Sequence, residues 1–102
     1  MPQNSKTLSY IGISKKSGRI VIGTELTCDA IRSGKIRLAI CSSDASANTE
    51  KRIGNCAAHY GVRFVKCGFT SESLGKAVGS RGAVASVGLT DEGLANAVIN
   101  TL

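Results

Sequence analysis

The chain has 102 residues, 42% of them hydrophobic, and a net charge of +6 at pH 7 from 13 basic and 7 acidic residues. This length supports one hydrophobic core, and the balance of apolar and charged residues excludes an intrinsically disordered chain. No run approaches the ~18 apolar residues of a membrane span, and residues 1–7 lack the apolar stretch of a secretory signal. We therefore expect one domain over residues 1–102, cytoplasmic and not bound to a membrane.

Hydrophobic periodicity predicts helices and strands that alternate along the whole chain. The predicted elements are a helix over 5–16, a strand over 19–22, a helix over 24–33, a strand over 36–41, a helix over 46–60, a strand over 62–67, a short helix over 71–78, a strand over 83–87 and a helix from 90 onward. Thr24 has the chemistry of an N-cap, and Gly18, Gly34, Gly61 and Gly79 are typical of helix C-termini.

This alternation by itself predicts a largely parallel sheet of four strands, linked by three β-α-β crossovers and covered by helices on both faces. Each amphipathic helix should bury the apolar residues that recur at helical spacing. Those residues are Leu26, Ala30 and Ile31 in the second helix, Ile53, Cys56, Ala57 and Tyr60 in the third, and Leu94, Val98 and Leu102 in the last.

Few residues indicate catalysis or a cofactor. Cys56 and His59 have the spacing of two zinc ligands, but no second pair matches it, so a core thiol and a surface histidine are favoured. The Gly-Lys steps at Gly34 and Gly75 lack the flanking residues of a P-loop, and no dinucleotide fingerprint or nucleophile elbow occurs. We expect no cofactor, no metal and no enzymatic activity. The four cysteines form no Cys-x-x-Cys pair, which favours reduced thiols.

Basic residues are concentrated early in the chain. Six of them fall between positions 15 and 37, namely Lys15, Lys16, Arg19, Arg32, Lys35 and Arg37, and none follows Arg81. If the first two helices meet at one edge, that edge is positive and the last helix lies away from it. On charge alone, a solvated charged face is the favoured explanation. Because the chain has few aromatic residues, structured RNA or a duplex backbone is a better candidate ligand than an extended single strand.

Several motifs, in their order and spacing, resemble the kink-turn RNA-binding ribosomal-protein family, which includes the archaeal L-seven-Ae and eukaryotic L-thirty-e proteins. The matching segments are 15–24 (KKSGRIVIGT), 30–35 (AIRSGK), 44–46 (DAS), 60–62 (YGV) and 74–79 (LGKAVG). The bacterial YlxQ-like branch is similar also at 48–49 and 90–93. The resemblance covers nearly the whole chain.

The resemblance implies a three-layer α/β/α sandwich with a four-stranded mixed sheet, in place of the largely parallel one. It also implies binding of a sharply bent RNA helix–internal loop–helix. In the family, a helix N-terminus enters the widened major groove beside tandem sheared G·A pairs, and a second loop covers bases flipped from the bulge. The matching segments here are 23–26 (GTEL) and 80–84 (SRGAV).

The first segment departs from the family's Gly-x-Asn-Glu pattern. Glu25 stands at the Asn position, Leu26 at the Glu position and Asp29 at the position of a following Lys. Glu25 keeps an acceptor for guanine donors, whereas Leu26 can neither donate nor accept and Asp29 repels phosphate. These residues weigh against a standard kink-turn as the ligand and leave general affinity for RNA intact.

The favoured hypothesis is a non-catalytic, monomeric bacterial protein of a ribonucleoprotein that binds structured, kink-turn-like RNA, expected to be ribosomal RNA. The residues expected at the RNA are Lys15, Lys16, Gly23, Thr24, Glu25, Arg32, Lys35, Ser80, Arg81, Gly82 and Ala83. One alternative is a protein-interaction scaffold that kept the fold and lost the RNA site. A small nucleotide-dependent enzyme rests on fold class alone. The favoured hypothesis requires Gly23 and Arg81 to lie side by side on a cationic rim.

Overall fold

Helices and strands alternate through residues 5–102, the part of the chain that the computed structural model describes. The elements are α1 (Ser5–Lys16), β1 (Ile20–Ile22), α2 (Thr24–Arg32), β2 (Leu38–Cys41), α3 (Ala47–His59), β3 (Arg63–Lys66), α4 (Ser71–Ala77), β4 (Ser86–Leu89) and α5 (Glu92–Asn100). Residues 1–4, part of the segment considered for a secretory signal, lie outside the described residues. No helix within 5–102 is long and apolar enough to cross a membrane.

The sheet is mixed, with strand order β1-β4-β2-β3. Strand β4 runs antiparallel to both β1 and β2, and β2 pairs with β3 in parallel. The largely parallel sheet with three crossovers is therefore wrong, and the mixed sheet implied by the family resemblance is confirmed. The reason is the path after α4: the Val84 N–H donates to the Ser71 carbonyl at 2.9 Å, so the chain returns to the start of α4 before β4 begins.

Two layers of helices cover the sheet. Helices α1, α4 and α5 pack on one face against alternate strand residues such as Leu38 and Ile40, and α2 and α3 pack on the other face against Ala39. This alternation follows from the two-residue repeat of a strand, which sends successive side chains to opposite faces. The structure is thus a three-layer sandwich with a core on each side of the sheet.

Three apolar residues expected in the core are exposed, and those predictions are wrong. Leu26 is 62% exposed, Tyr60 47% and Leu102 43%. Leu26 lies in the first turn of α2, while Tyr60 and Leu102 follow the last residues of α3 and α5. Helical spacing describes the face of a helix but not how far the sheet extends beneath it, so residues near helix ends escape burial.

The fourth strand lies at Ser86–Leu89, so it begins three residues later and ends two residues later than predicted. Pairing with both neighbours sets its position, because Ser86 lies opposite Cys41 and Leu89 lies opposite both Leu38 and Ile20.

This register also defines two ends of the sheet. The Gly23 end holds the last residues of β1, β2 and β3 and the start of β4; the Arg37 end holds the first residues of β1, β2 and β3 and the last residue of β4.

Candidate nucleic-acid interface

A glycine forms the corner between β1 and α2. Gly23 is the N-cap of α2, with φ +107°, and no side chain within residues 5–102 caps the helix. The prediction that Thr24 is the N-cap is therefore wrong; Thr24 is the first helical residue, and its hydroxyl donates to the Ser86 hydroxyl at 3.2 Å. A Cβ at Gly23 would have no atom within 4 Å. The first turn of α2 thus presents backbone N–H groups, which favour anionic or acceptor ligands.

The loop between α4 and β4 is held against α4 at two points. The Ser80 N–H donates to the Gly75 carbonyl at 2.8 Å, and a methyl group at Gly75 would overlap the Gly82 carbonyl oxygen. Val84 is buried in the core, whereas residues 80–83, which precede it, are exposed. The loop is therefore a packed structure that displays the Arg81 side chain, which forms no ion pair with any residue of 5–102.

Ser86 connects the Gly23 corner to this loop. It is the first residue of β4, directly after the loop, and its carbonyl oxygen accepts the Gly23 N–H at 2.9 Å. The structure therefore brings Gly23, Thr24 and Glu25 to the same end of the sheet as residues 80–83. This placement arises because β4 runs antiparallel to β1, which puts the end of one strand beside the start of the other.

The acidic residue in the first turn of α2 has a basic partner that the sequence did not indicate. The Glu25 carboxylate accepts a hydrogen bond from the Arg52 guanidinium of α3 at 2.5 Å, and this contact raises the pKa of Arg52 above its usual value. Helices α2 and α3 run side by side, so the second turn of α2 also meets the third turn of α3, where the Cys56 thiol lies 3.6 Å from the Cys28 carbonyl oxygen. Residues 25 and 52 are far apart in the sequence, and only the packing of α2 against α3 brings them together.

The remaining predicted cations do not join the Gly23 end. Arg32 ends α2, ~13 Å from Gly23 at the rise of an α-helix, and Lys35 follows three residues later, beyond that end of the helix. Lys15 and Lys16 lie in the last turn of α1, where Lys16 shares a groove with Lys76 of α4. The sequence-predicted site is therefore divided: Arg32 and Lys35 lie at the far end of α2, whereas Lys76 lines one groove with Lys16 and another with residues 80–83.

The expectation that the last helix lies away from the early basic residues is wrong. Arg19 forms an ion pair with Asp91, the N-cap of α5, at 3.2 Å. Because β1 pairs with β4, the start of β1 lies where β4 leads into α5.

Asp29, expected to repel phosphate, is paired with Arg32 at 2.9 Å. Within residues 5–102, no group of three or more His, Cys, Asp or Glu side chains could hold a metal ion.

Solved structures share this fold. A protein from Bacillus halodurans, described as having unknown function, superposes with a TM-score of 0.89 at 26% identity, covering 96% of this chain and 97% of that one. The Giardia lamblia 15.5kD RNA binding protein superposes with a TM-score of 0.77 at 18% identity, covering 96% of this chain and 86% of that one. At 18% identity, the superposition on the Giardia lamblia protein shows a shared fold only.

Curated relatives match at the level of sequence. A Bacillus subtilis (strain 168) protein named "RNA-binding protein YlxQ" is 30% identical over 92 residues, covering 90% of each chain. A protein of the same name from Enterococcus faecium is 29% identical over 90 residues, covering 88% of this chain and 84% of that one. Residues 5–99 match the sequence model of the ribosomal protein L7Ae/L30e/S12e/Gadd45 family. The chain therefore belongs to the ribosomal protein L7Ae/L30e/S12e/Gadd45 family.

Proposed function

We propose that this chain is a non-catalytic RNA-binding protein whose binding surface is the Gly23 end of the sheet. One observation carries the proposal: the uncapped first turn of α2 and the exposed loop 80–83 lie at the same end, joined through Ser86. The net charge of +6 supports an anionic partner. The names of the two curated relatives, which describe RNA binding, support the same ligand.

Each part of this surface has a chemical role in the proposal. The backbone N–H groups after Gly23 bind phosphate or base acceptors, and the missing Cβ allows the RNA to approach closely. Arg81 contacts a phosphate, while Ser80, Gly82 and Ala83 cover unpaired bases. One oxygen of Glu25 is held by Arg52, so the other is free to accept from guanine N–H donors.

The proposed ligand is structured, kink-turn-like RNA, and ribosomal RNA in particular, bound by a cytoplasmic monomer. A sharply bent RNA fits because it can contact a helix N-terminus and a neighbouring loop at the same time. The family description, which names ribosomal proteins, supports the ribosomal assignment. Leu26, which is 62% exposed, favours an RNA whose contact at this position is apolar.

The same exposed leucine, beside the acidic residues Glu25 and Asp29, favours a second candidate function. A protein-interaction scaffold would bury Leu26 against a partner, since exposed aliphatic side chains contribute to protein interfaces when covered. The two functions differ in their dependence on charge. Removing Arg81 weakens binding to RNA, and removing Leu26 weakens binding to an apolar protein surface.

The test is binding to a kink-turn hairpin and to a straight duplex of the same base composition, over a range of salt. Each contact between a cation and a phosphate contributes ~0.7–0.9 to the magnitude of the slope of log affinity against log salt, so the slope should be negative and Arg81→Ala should reduce its magnitude by that amount. Lys51→Ala, on the exposed surface of α3, is the matched control of equal charge. A slope near zero, or equal losses in both variants, contradicts the proposal.

A further inference from the structure

A second basic site lies at the Arg37 end, away from the proposed RNA surface. A cavity of about 320 Å³ opens there between the end of α2, the segment before β2 and the end of α3. Its lining includes three arginines from three separate segments, together with an exposed aromatic ring and one carboxylate. We call these residues the arginine pocket: Arg32, Arg37, Tyr60, Arg63 and Glu92.

The fold brings these arginines together from distant positions in the sequence. Arg32 ends α2, and the chain then turns through Gly34, with φ +74°, to place Arg37 beside the start of β2. Arg63 begins β3 next to it, because β2 and β3 are parallel and Leu38 lies opposite Arg63. The pocket therefore depends on the parallel pairing that joins the first residues of these two strands.

The charge of the pocket is positive and incompletely neutralised. Three guanidinium groups face one lining carboxylate, Glu92, which pairs with Arg63 at 3.2 Å. Arg32 pairs with Asp29 in the adjacent turn of α2. Within residues 5–102, Arg37 forms no ion pair, and neither does Lys35 two positions before it.

The existing ion pairs are weak enough to be exchanged. The side chains of Arg32 and Arg63 are 47% and 46% exposed, and those of Asp29 and Glu92 are more exposed still. Exposed ion pairs contribute little to stability, so a phosphate can replace either carboxylate with little loss of folding stability. Guanidinium groups bind phosphate through two parallel hydrogen bonds, which makes arginine clusters good phosphate sites.

The ring of Tyr60 adds a surface for a base. It is 47% exposed and lies edge-on to the His59 ring, with 4.8 Å between ring centroids. The faces of exposed aromatic rings stack on unpaired nucleobases, and cations beside the ring hold the flanking phosphates. Arginines and an exposed tyrosine together suit an RNA segment better than an isolated phosphate ion.

We propose that the arginine pocket is a second RNA site, which binds the phosphates of a second RNA segment and stacks one of its bases on Tyr60. This inference rests on the proposed function, because the Gly23 end then holds the first segment. The two sites lie at opposite ends of the sheet in a molecule of 30 × 28 × 26 Å. The protein would thereby bridge two parts of a folded RNA.

The experiment saturates the protein with an unlabelled kink-turn hairpin and then titrates a labelled, unstructured RNA of about 12 nucleotides, a length typical of single-strand sites. The wild type should bind the second RNA. Arg37→Ala with Arg63→Ala should weaken this event about tenfold and reduce the salt slope by ~1.5, since two phosphate contacts are lost. Hairpin binding should stay unchanged. Lys51→Ala with Lys66→Ala removes the same charge outside the pocket and should leave the second event intact.

Further variants keep the test decisive. If the double variant unfolds, Arg37→Glu alone should abolish the second event. Tyr60→Ala should weaken binding of the RNA but not of an abasic strand of equal length. Inorganic phosphate and a mononucleotide should compete only weakly; binding of either one as tight as that of the RNA overturns the RNA assignment.

The outcomes separate the two proposals. If the hairpin binds and no second event occurs, the arginine pocket is overturned and the proposed function stands. If Arg81→Ala and Gly75→Ala leave all RNA binding intact while pocket variants abolish it, the pocket is supported and the role of the Gly23 end is overturned.

Discussion

The Glu25 carboxylate accepts a hydrogen bond from the Arg52 guanidinium at 2.5 Å, which joins the first turn of α2 to α3 at the Gly23 end. Both side chains are largely exposed, at 71% for Glu25 and 43% for Arg52, so the pair adds little to stability. The ion pair instead fixes the orientation of the Glu25 side chain, so that its carboxylate is held beside the proposed RNA surface. In the proposed complex with RNA, this carboxylate would accept hydrogen bonds from base donors.

Glu25→Ala should weaken binding of an RNA that presents guanine at this position by about 1–3 kcal/mol, the range for a good base contact. Arg52→Ala should cause a smaller loss because the carboxylate remains but is free to turn. If Arg52 acts through Glu25, the double variant should lose no more than Glu25→Ala alone. Fluorescence anisotropy with matched RNAs measures all three. Additive losses would mean that Arg52 contacts the RNA by itself, and a gain in affinity from Glu25→Ala would mean that the carboxylate repels it.

Gly75→Ala should displace the loop 80–83 without altering any charge. The new methyl group would overlap the Gly82 carbonyl oxygen, so the loop must move away from α4. We expect a loss of stability of about 1–3 kcal/mol, typical of overpacking, together with weaker RNA binding. Urea unfolding and RNA titration measure the two effects.

Gly54→Ala is the matched control for that prediction, because Gly54 also lies within a helix. Its added methyl group would make ordinary contact with the Phe64 ring at 3.5 Å. Alanine in place of a helical glycine should then raise stability by about 0.5–1 kcal/mol and leave RNA binding unchanged. Equal effects of the two substitutions would show that the loop does not depend on close packing at Gly75.

The cysteines should differ in reactivity. Burial raises the pKa of Cys41 to about 11, and burial also raises the pKa values of Cys28 and Cys67, whereas the Cys56 side chain is partly exposed. Because the thiolate is the reactive form, iodoacetamide at pH 8 should modify Cys56 first, and the other three only after unfolding. Peptide mass spectrometry of time points measures the order. Early modification of Cys41 would contradict its burial.

The same thiols make stability depend on pH in the alkaline range. The Cys41 pKa is about 11 in the folded chain against an ordinary value of 9.0, so between these values the folded state binds more protons than the unfolded state. Stability should therefore fall as pH rises from 9 to 11. Cys41→Ala should lessen this fall, and urea midpoints across the range measure it.

Asp44 should contribute to the acid sensitivity of the fold. The Ser42 hydroxyl and the Ser71 backbone N–H lower the pKa of the Asp44 carboxyl, and the Ser71 N–H reaches its oxygen at 2.8 Å. The folded state therefore binds this proton less readily than the unfolded state. The stabilisation is present above the ordinary value of 3.8 and is lost as pH falls through the lowered value.

Asp44→Asn should lower the urea midpoint at pH 7, and the difference from the wild type should shrink as the pH approaches 3. The control is Asp29→Asn, in an exposed pair within one helix, which should change the midpoint little at either pH. An unchanged difference at both pH values would show that ionisation of Asp44 does not stabilise the fold.

Local features of this chain could be predicted from the sequence because they depend on residues that are close together along the chain. The helix ends at Gly18, Gly34, Gly61 and Gly79 all have positive φ, as C-terminal glycines require. The start of α3 was placed correctly for the same reason, since Ser46 caps it by accepting the Thr49 N–H. Segments 23–26 and 80–84 came from the family resemblance, and their role at an RNA surface stays a prediction.

Residues that depend on distant partners could not be predicted in this way. The pairs Arg19–Asp91 and Glu25–Arg52 join residues far apart in the chain, and the arginine pocket collects side chains from three segments. Leu26 has the spacing of a core residue, but its exposure depends on where the sheet ends beneath α2. The division of the predicted cations between two ends of the molecule has the same origin.

The amino-acid sequence by itself determined the type and order of the elements and the net positive charge, and the family resemblance pointed to segments 23–26 and 80–84. The tertiary structure alone decided that β4 enters between β1 and β2, and this insertion places Gly23 beside Ser86 and Arg19 beside Asp91. The physical reason is that periodicity and capping act over a few residues, whereas strand pairing is chosen by the packing of the whole chain.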